Sequence, residues 1–406
     1  MSCLTFLRRI RSVRKELLLI ALLITIGHTD FAAAQSLAPA SVQKSSELDL
    51  KGLTKKADSG STESQFQLAL AYQFGKGVNK DIFEAIKWYR VAANHGDPAA
   101  QNNLGYLYQT GPKTVRDLTE ASKWYMRAAS YGNPAAQVNL GLLYLRGEGV
   151  KKSPEDALRW INRAAETEYP TAMAALASLY ATGQDVPQDL DKAVKLVHKA
   201  VKKHSPEAQA LLGVFYARGL GVPTNLPEAA KCFKKAAEAG NAGAQYALGV
   251  MYEKGQGLKQ DSAEALRHYR LAAENGSTQA QSVLGEIYEL GQNVQIDYQE
   301  SVAWYRRAID QGDAHSATRL AALLYHGQGV DRDVQEAVKL WSWAADKGDA
   351  YAQFDLAQMY ASGTGVSRDL IKAQSLFTQA GKTIDVSKQL SELSSTMSEA
   401  SLAETR

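Results

Sequence analysis

Apolar side chains return along this chain in alternating helical stripes, and the whole arrangement repeats every thirty-six residues. In the first copy Leu68, Tyr72 and Phe74 fall at helical spacing and stop at Gly75; a second stripe follows through Trp88, Tyr89 and Ala92. Anchored on a Tyr-x-x-Gly pattern, copies begin at Ser64, Ala100, Ala136, Ala172, Ala208, Ala244, Ala280, Ser316 and Ala352, without one insertion. A catalytic motif needs to occur once, whereas a unit that cannot bury its own apolar face must recur beside itself.

The columns of this internal alignment predict two helices per copy. The twelfth residue is Gly in all nine copies, from Gly75 to Gly363, where a left-handed helix stop is expected. A second Gly stands two residues on, with Lys113, Asp185 and Asn293 replacing it in three copies. Asp81-x-x-Glu84, Asp117-x-x-Glu120, Asn225-x-x-Glu228, Asp261-x-x-Glu264, Asp297-x-x-Glu300 and Asp333-x-x-Glu336 are capping-box patterns that mark the start of the second helix. Inside it, one column is alanine throughout, Ala92 to Ala380, as close helix packing requires. Trp88-Tyr89, Trp124-Tyr125 and Trp304-Tyr305 stand three and four residues before it, with Trp341 shifted and Cys232 in a tryptophan's place.

A buried aromatic removes roughly 150–250 Å² from water, some 4–6 kcal/mol at about 25 cal/mol per Å². A cap contributes about 1 kcal/mol. Caps therefore set where the helices start, and the aromatic and alanine columns hold them together. Helices of this length are marginal alone, so each copy needs its neighbour's wall. The fold expected is all-α, a right-handed superhelical solenoid of antiparallel helix pairs.

The ends depart from the repeat. Residues 47–63 fall in register with the end of a second helix and read as a half-repeat cap, and residues 35–46 read as linker. After Gly381 the period is lost, and Val386, Leu390, Leu393 and Met397 share one helical face, so residues 382–406 are expected to form a capping helix with a frayed tail. Residues 1–34 read as a signal peptide: Arg8, Arg9, Arg11, Arg14 and Lys15, then the apolar run 17–27, then Ala32, Ala33 and Ala34. That run is too short to span a bilayer, and no integral membrane span is expected in the mature chain. Export implies the periplasm, or the cell surface or medium as the alternative.

That segment carries the whole formal charge of +3, so the remainder is neutral. Its cations are scattered, which argues against nucleic acid as a partner. Cys3 leaves with the signal, and Cys232 alone cannot form an internal disulfide. The six remaining histidines, His95, His198, His204, His268, His315 and His326, show no metal-ligand spacing, so no metal is expected. The Gly-x-Gly-Val turns end helices instead of opening one after a strand, which argues against a phosphate loop. The acidic pairs sit where helices begin, and no nucleophile signature stands in a convincing setting. No catalytic residue and no cofactor is expected.

Taken together, Leu-Gly-x-x-Tyr-x-x-Gly-x-Gly-Val-x-x-Asp-x-x-Glu-Ala-x-x-Trp-Tyr-x-x-Ala-Ala-x-x-Gly resembles the Sel1-like repeat family, a relative of the tetratricopeptide repeats, across nine units from about Ser64 to Gly381. Departures are local: Leu324 replaces a Tyr, Leu196 and His268 replace Trp, and Glu168 and His204 replace the closing Gly. The resemblance implies binding to a protein or peptide by a non-catalytic scaffold of the bacterial envelope, serving signalling or complex assembly. A secreted or surface-exposed virulence factor that binds a host protein is the alternative, and an enzyme acting on peptidoglycan or β-lactams is the weaker one. A cysteine-rich branch linked to penicillin binding fits poorly, since only Cys232 remains.

By the same resemblance, the third, seventh, tenth and eleventh positions of each first helix line a concave groove. In the first three units these are Phe66, Leu70, Gln73 and Phe74, then Asn102, Tyr106, Gln109 and Thr110, then Val138, Leu142, Leu145 and Arg146. This apolar set, bounded by amides and one Arg, is the candidate partner-binding site. The alternative for these side chains is that they cover one another. Later units carry Glu253, Lys254, Glu286 and Glu289 in the same columns and predict a more charged half.

Overall fold

The structure is a computed structural model and describes residues 49–404. The expected signal peptide, residues 1–34, and linker, residues 35–46, lie outside the described residues. Twenty helices and no strands occur among the described residues, in an all-α repeat solenoid. Nine helix pairs follow the cap helix Leu50–Asp58: Thr62–Phe74 with Ile82–Asn94, Pro98–Thr110 with Leu118–Ser130, Pro134–Arg146 with Pro154–Glu166, Pro170–Thr182 with Leu190–Lys202, and Pro206–Arg218 with Leu226–Glu238. Then come Ala242–Lys254 with Ser262–Glu274, Thr278–Leu290 with Tyr298–Asp310, Ala314–His326 with Val334–Asp346, and Ala350–Ser362 with Leu370–Ala380, before a final helix Ser387–Glu404. These pairs are numbered here as repeats 1 to 9.

The first helices begin two residues ahead of the frame set by the glycines. Ser61, Asp97, Asn133, Ser205, Ser277, Asp313 and Asp349 cap them, each side chain accepting from the amide three residues on. Pro98, Pro134, Pro170 and Pro206 occupy the first helical position, where the missing N–H costs nothing. Their exits follow the glycine column, left-handed at Gly75, Gly147 and Gly183 among others. Gly111 is the exception, extended at φ −65° and ψ 174°, because Pro112 disfavours helical backbone in the residue before it. Glu168 and His204 take the left-handed conformation of the lost closing glycines, at φ 55° and 60°.

The second helices carry half of the expected capping box. Asp81 Oδ1 accepts from the amides of Phe83 and Glu84, but Glu84 pairs forward with Lys87. The amide of Asp81 donates instead to the carbonyl of Tyr72, and that bond recurs in all nine repeats, from Asp117 to Tyr108 through Asp369 to Tyr360. It closes the loop between the paired helices.

The described residues divide into two compact units, 49–244 with 256–258, and 245–255 with 259–404. In the first, Tyr89 and Tyr125 are fully buried among the alanine column and leucines such as Leu104 and Leu140. In the second, Tyr305, Trp341 and Phe377 do the same work, and Val386 and Leu393 of the C-terminal segment join that core. The Ser-rich stretch stays helical, with Ser394, Ser395, Thr396 and Ser398 bonding to carbonyls four residues back.

The joints between repeats are built from polar residues as well. Gln65, Gln101 and Gln137 each donate Nε2 to a carbonyl at the end of the preceding second helix, at Ala57, Ala93 and Ala129. Gln281 and Gln353 do so to Ala273 and Ala345 in the second unit. The cap helix offers Ala57 in the same way that a full repeat offers Ala93. The second turn glycine is a joint too: Gly149 is left-handed, and a Cβ on it would lie 2.0 Å from the carbonyl oxygen of Leu118 in the preceding repeat.

Candidate protein-binding face

The eleven expected groove residues do not share one exposure. Phe66 (4% exposed), Asn102 (1%) and Val138 (0%) are core residues, and Leu70 and Gln73 are buried with them. Tyr106, Gln109, Leu142, Leu145 and Arg146 are half-buried, and Phe74 stands 44% exposed beside exposed Thr110. The third column is thus a seam between neighbouring first helices. Asn139 Nδ2 crosses it to Asn102 Oδ1 at 3.1 Å, and Ser316 meets Ser282 across the matching seam of repeats 7 and 8 at 3.0 Å. Covering of one side chain by the next, the alternative left open by the sequence, accounts for the five buried residues. The accessible remainder is Phe74, Tyr106, Gln109, Leu142, Leu145 and Arg146.

The tenth column has a structural partner sixteen residues on. The Tyr89 hydroxyl donates to Gln73 Oε1 at 2.6 Å, and Tyr125 to Gln109 at 2.8 Å. In the second unit Tyr269 donates to Glu253 and Tyr305 to Glu289. Where the partner lacks a hydroxyl, as at Ile161, Val197, Phe233 and Phe377, the tenth position is Leu145, Ala181, Ala217 and Ala361. An acceptor is present where the partner is a tyrosine, because a buried phenol without a partner costs about 1–3 kcal/mol. Burial pushes the Tyr89, Tyr125 and Tyr305 phenols above their ordinary range, so all three stay protonated donors. Tyr125→Phe and Gln109→Leu are each expected to cost about 1–2 kcal/mol, while the double change costs less than their sum by about 1 kcal/mol. Denaturant unfolding of the four proteins measures that coupling, and strict additivity would contradict it.

The charged positions of the second unit are also engaged. Glu286 Oε1 lies 2.8 Å from His315 Nε2. Arg319 forks onto Glu289, its Nε at 3.1 Å from Oε2, and spans repeats 7 and 8. Burial opposes the charge on Arg319, but Glu289, Tyr305 and Glu286 together outweigh it and the guanidinium stays ionised. Asp355, one repeat further, makes no such pair, and burial with the neighbouring Asp349 pushes its carboxyl up to about 7. Cys232 is buried, and burial raises its thiol pKa, which keeps it an unreactive packing residue. Among the described residues no group of three or more His, Cys, Asp or Glu is placed to hold a metal. No described helix is long and apolar enough to cross a membrane.

The Sel1 repeat matches nine times in succession, over residues 62–97, 98–133, 134–166, 170–205, 206–241, 242–277, 278–313, 314–349 and 350–382. The chain belongs to the Sel1 repeat family. Among solved structures it is similar to a Sel1 repeat protein from Oxalobacter formigenes, at 34% identity over 79% of this chain and 92% of that one, with a TM-score of 0.50. It is also similar to a protective antigen present in uropathogenic Escherichia coli strains, which displays an SLR fold, at 30% identity over 82% and 79% of the two chains, TM-score 0.44. Yeast Tom70 aligns over 88% of this chain and 85% of its own at 14% identity, TM-score 0.44. No curated protein matches the sequence. A Sel1 repeat solenoid is a scaffold fold typical of protein–protein interaction.

The joint residues Gln65, Gln101 and Gln137 are what sequence reasoning passed over. Their signal was present: Gln recurs in the second column at Gln65, Gln101, Gln137, Gln209, Gln245, Gln281 and Gln353. A polar residue at fixed spacing reads as a solvated face until its acceptor is known.

Proposed function

We propose that this Sel1 repeat chain is a non-catalytic, exported scaffold of the bacterial envelope that grips a protein or peptide on the accessible strip of its first helices and serves signalling or complex assembly. The observation that carries the reading is the contrast between columns. Alanine, glycine and tyrosine positions repeat because they pack, while Phe74, Tyr106, Leu142, Leu145 and Arg146 differ from repeat to repeat and keep accessible surface. Apolar side chains with an amide and a cation at their margin suit an amphipathic polypeptide.

The test is site-specific photocrosslinking in the native cell, with the reactive group at positions 74, 106 or 142 and, as control, at Phe83, which is exposed on a second helix. A polypeptide captured from the first three positions and not from the fourth is expected. Equal capture from all four places the contact elsewhere. Fractionation accompanies it: retention in the periplasm is expected, whereas release into the medium would mark an exported factor that meets a host protein.

A further inference from the structure

Arg146 and Arg218 end the first helices of repeats 3 and 5 at equivalent positions, each directly before a left-handed glycine. A cation in the last turn suits the helix dipole at both places, so the dipole does not tell them apart. Their partners do. Arg146 lies 3.6 Å from Glu148, two residues on. Leu220 holds the matching place in repeat 5, and among the described residues no carboxylate pairs with Arg218. Its Nε is buried without an acceptor, and burial alone draws the guanidinium below its ordinary pKa.

Ala181 and Ala217 fill the tenth positions of repeats 4 and 5, where repeats 1 to 3 carry Gln73, Gln109 and Leu145. Small side chains let the helices Pro170–Thr182 and Pro206–Arg218 pack directly on each other. The half-buried guanidinium thus ends a first helix whose tenth position is a small side chain, without a counter-charge among the described residues.

We propose that Arg218 is the anion-receiving residue of the polypeptide-binding face, and that the segment it meets carries an aspartate or glutamate side chain. This rests on the protein-binding reading and deepens it. A planar guanidinium takes a carboxylate in two parallel hydrogen bonds, and a partly dehydrated one gains more from them than a solvated cation does. A nucleic-acid backbone would need a run of cations, whereas this column holds Arg146, Arg218 and Lys254 among Phe74, Thr110, Thr182, Leu290 and Ser362. One carboxylate beside apolar residues is the ligand that matches one unpaired guanidinium beside alanines.

The test probes the full chain with an array of synthetic dodecapeptides in two matched sets, one containing Asp and Glu and the other Asn and Gln at the same places. The acidic set is expected to bind about tenfold better, the equivalent of one charge-assisted hydrogen-bonded pair. Arg218→Gln is expected to abolish that preference. Leu220→Glu keeps the guanidinium but supplies the partner that Arg146 already has, and it is expected to abolish the preference as well, with helicity and melting temperature unchanged. Wild-type protein without acid preference, or either folded variant that retains it, overturns the assignment. If no peptide of either set binds, the protein-binding reading itself fails, which is a different result from binding without acid preference.

Discussion

Gly149→Ala is expected to destabilise the first compact unit by about 3 kcal/mol, an unusually large effect for the addition of one methyl group. Two causes act together. Gly149 sits at φ 69°, where an alanine costs roughly 1–2 kcal/mol. Its Cβ would also lie 2.0 Å from the Leu118 carbonyl oxygen and 2.9 Å from the Thr119 amide. These are backbone atoms at the start of the preceding repeat's second helix, and they cannot rotate away. Either the loop of repeat 3 lifts or the helix Leu118–Ser130 gives up its first turn. Gly132 is the control: it is left-handed at φ 85° but has nothing within 4 Å of an added Cβ, so Gly132→Ala is expected to cost only the backbone share, about 1 kcal/mol. Chemical denaturation of both variants measures the difference. Equal losses would mean that the close approach across the joint contributes nothing.

Asp355→Asn is expected to stabilise the protein at pH 8 by about 2 kcal/mol and to leave it nearly unchanged at pH 4. The carboxyl titrates near 3.8 when solvated and near 7 in the fold, where burial and Asp349 oppose its charge and Arg319 only partly compensates. Arg319 is already forked onto Glu289, and Asp349 is occupied as an N-cap that also accepts from Thr318. Between those two pH values the native state holds a proton that the unfolded chain has released. The stability this brings is fully present below about pH 4 and is lost as pH rises through 7. An amide has no charge to bury, so the variant should lose that slope. Unfolding free energies from pH 4 to 8 provide the check, and a variant that parallels the wild type across the range would show that Asp355 is not proton-linked to folding.

Much of this architecture was legible because the packing residues repeat. Gly75, Tyr89 and Ala92 sit in columns that recur down the chain, and their helical spacing was sufficient to place the helices and their loops. The binding face was less legible. Analogy with tetratricopeptide repeats indicates which side of a helix faces inward but not how closely neighbouring first helices approach, so Phe66, Asn102 and Val138 read as groove when they are seam. The bond from Tyr89 to Gln73 was hidden for another reason: sixteen residues separate the pair, and no helical or strand period connects them. Only the matching of acceptors to hydroxyls across repeats exposes it. Arg218 became distinct through the same comparison, because its equivalent Arg146 has a carboxylate close by.

Interlocking of each repeat with its immediate neighbours is tested most directly by amide hydrogen exchange on full-length Gly149→Ala beside the wild type, resolved by peptide. In a fold held by nearest-neighbour joints, protection falls in residues 98–166, the two repeats that meet at Gly149, while residues 278–382 exchange as before. A loss of protection spread evenly over all nine repeats would contradict it.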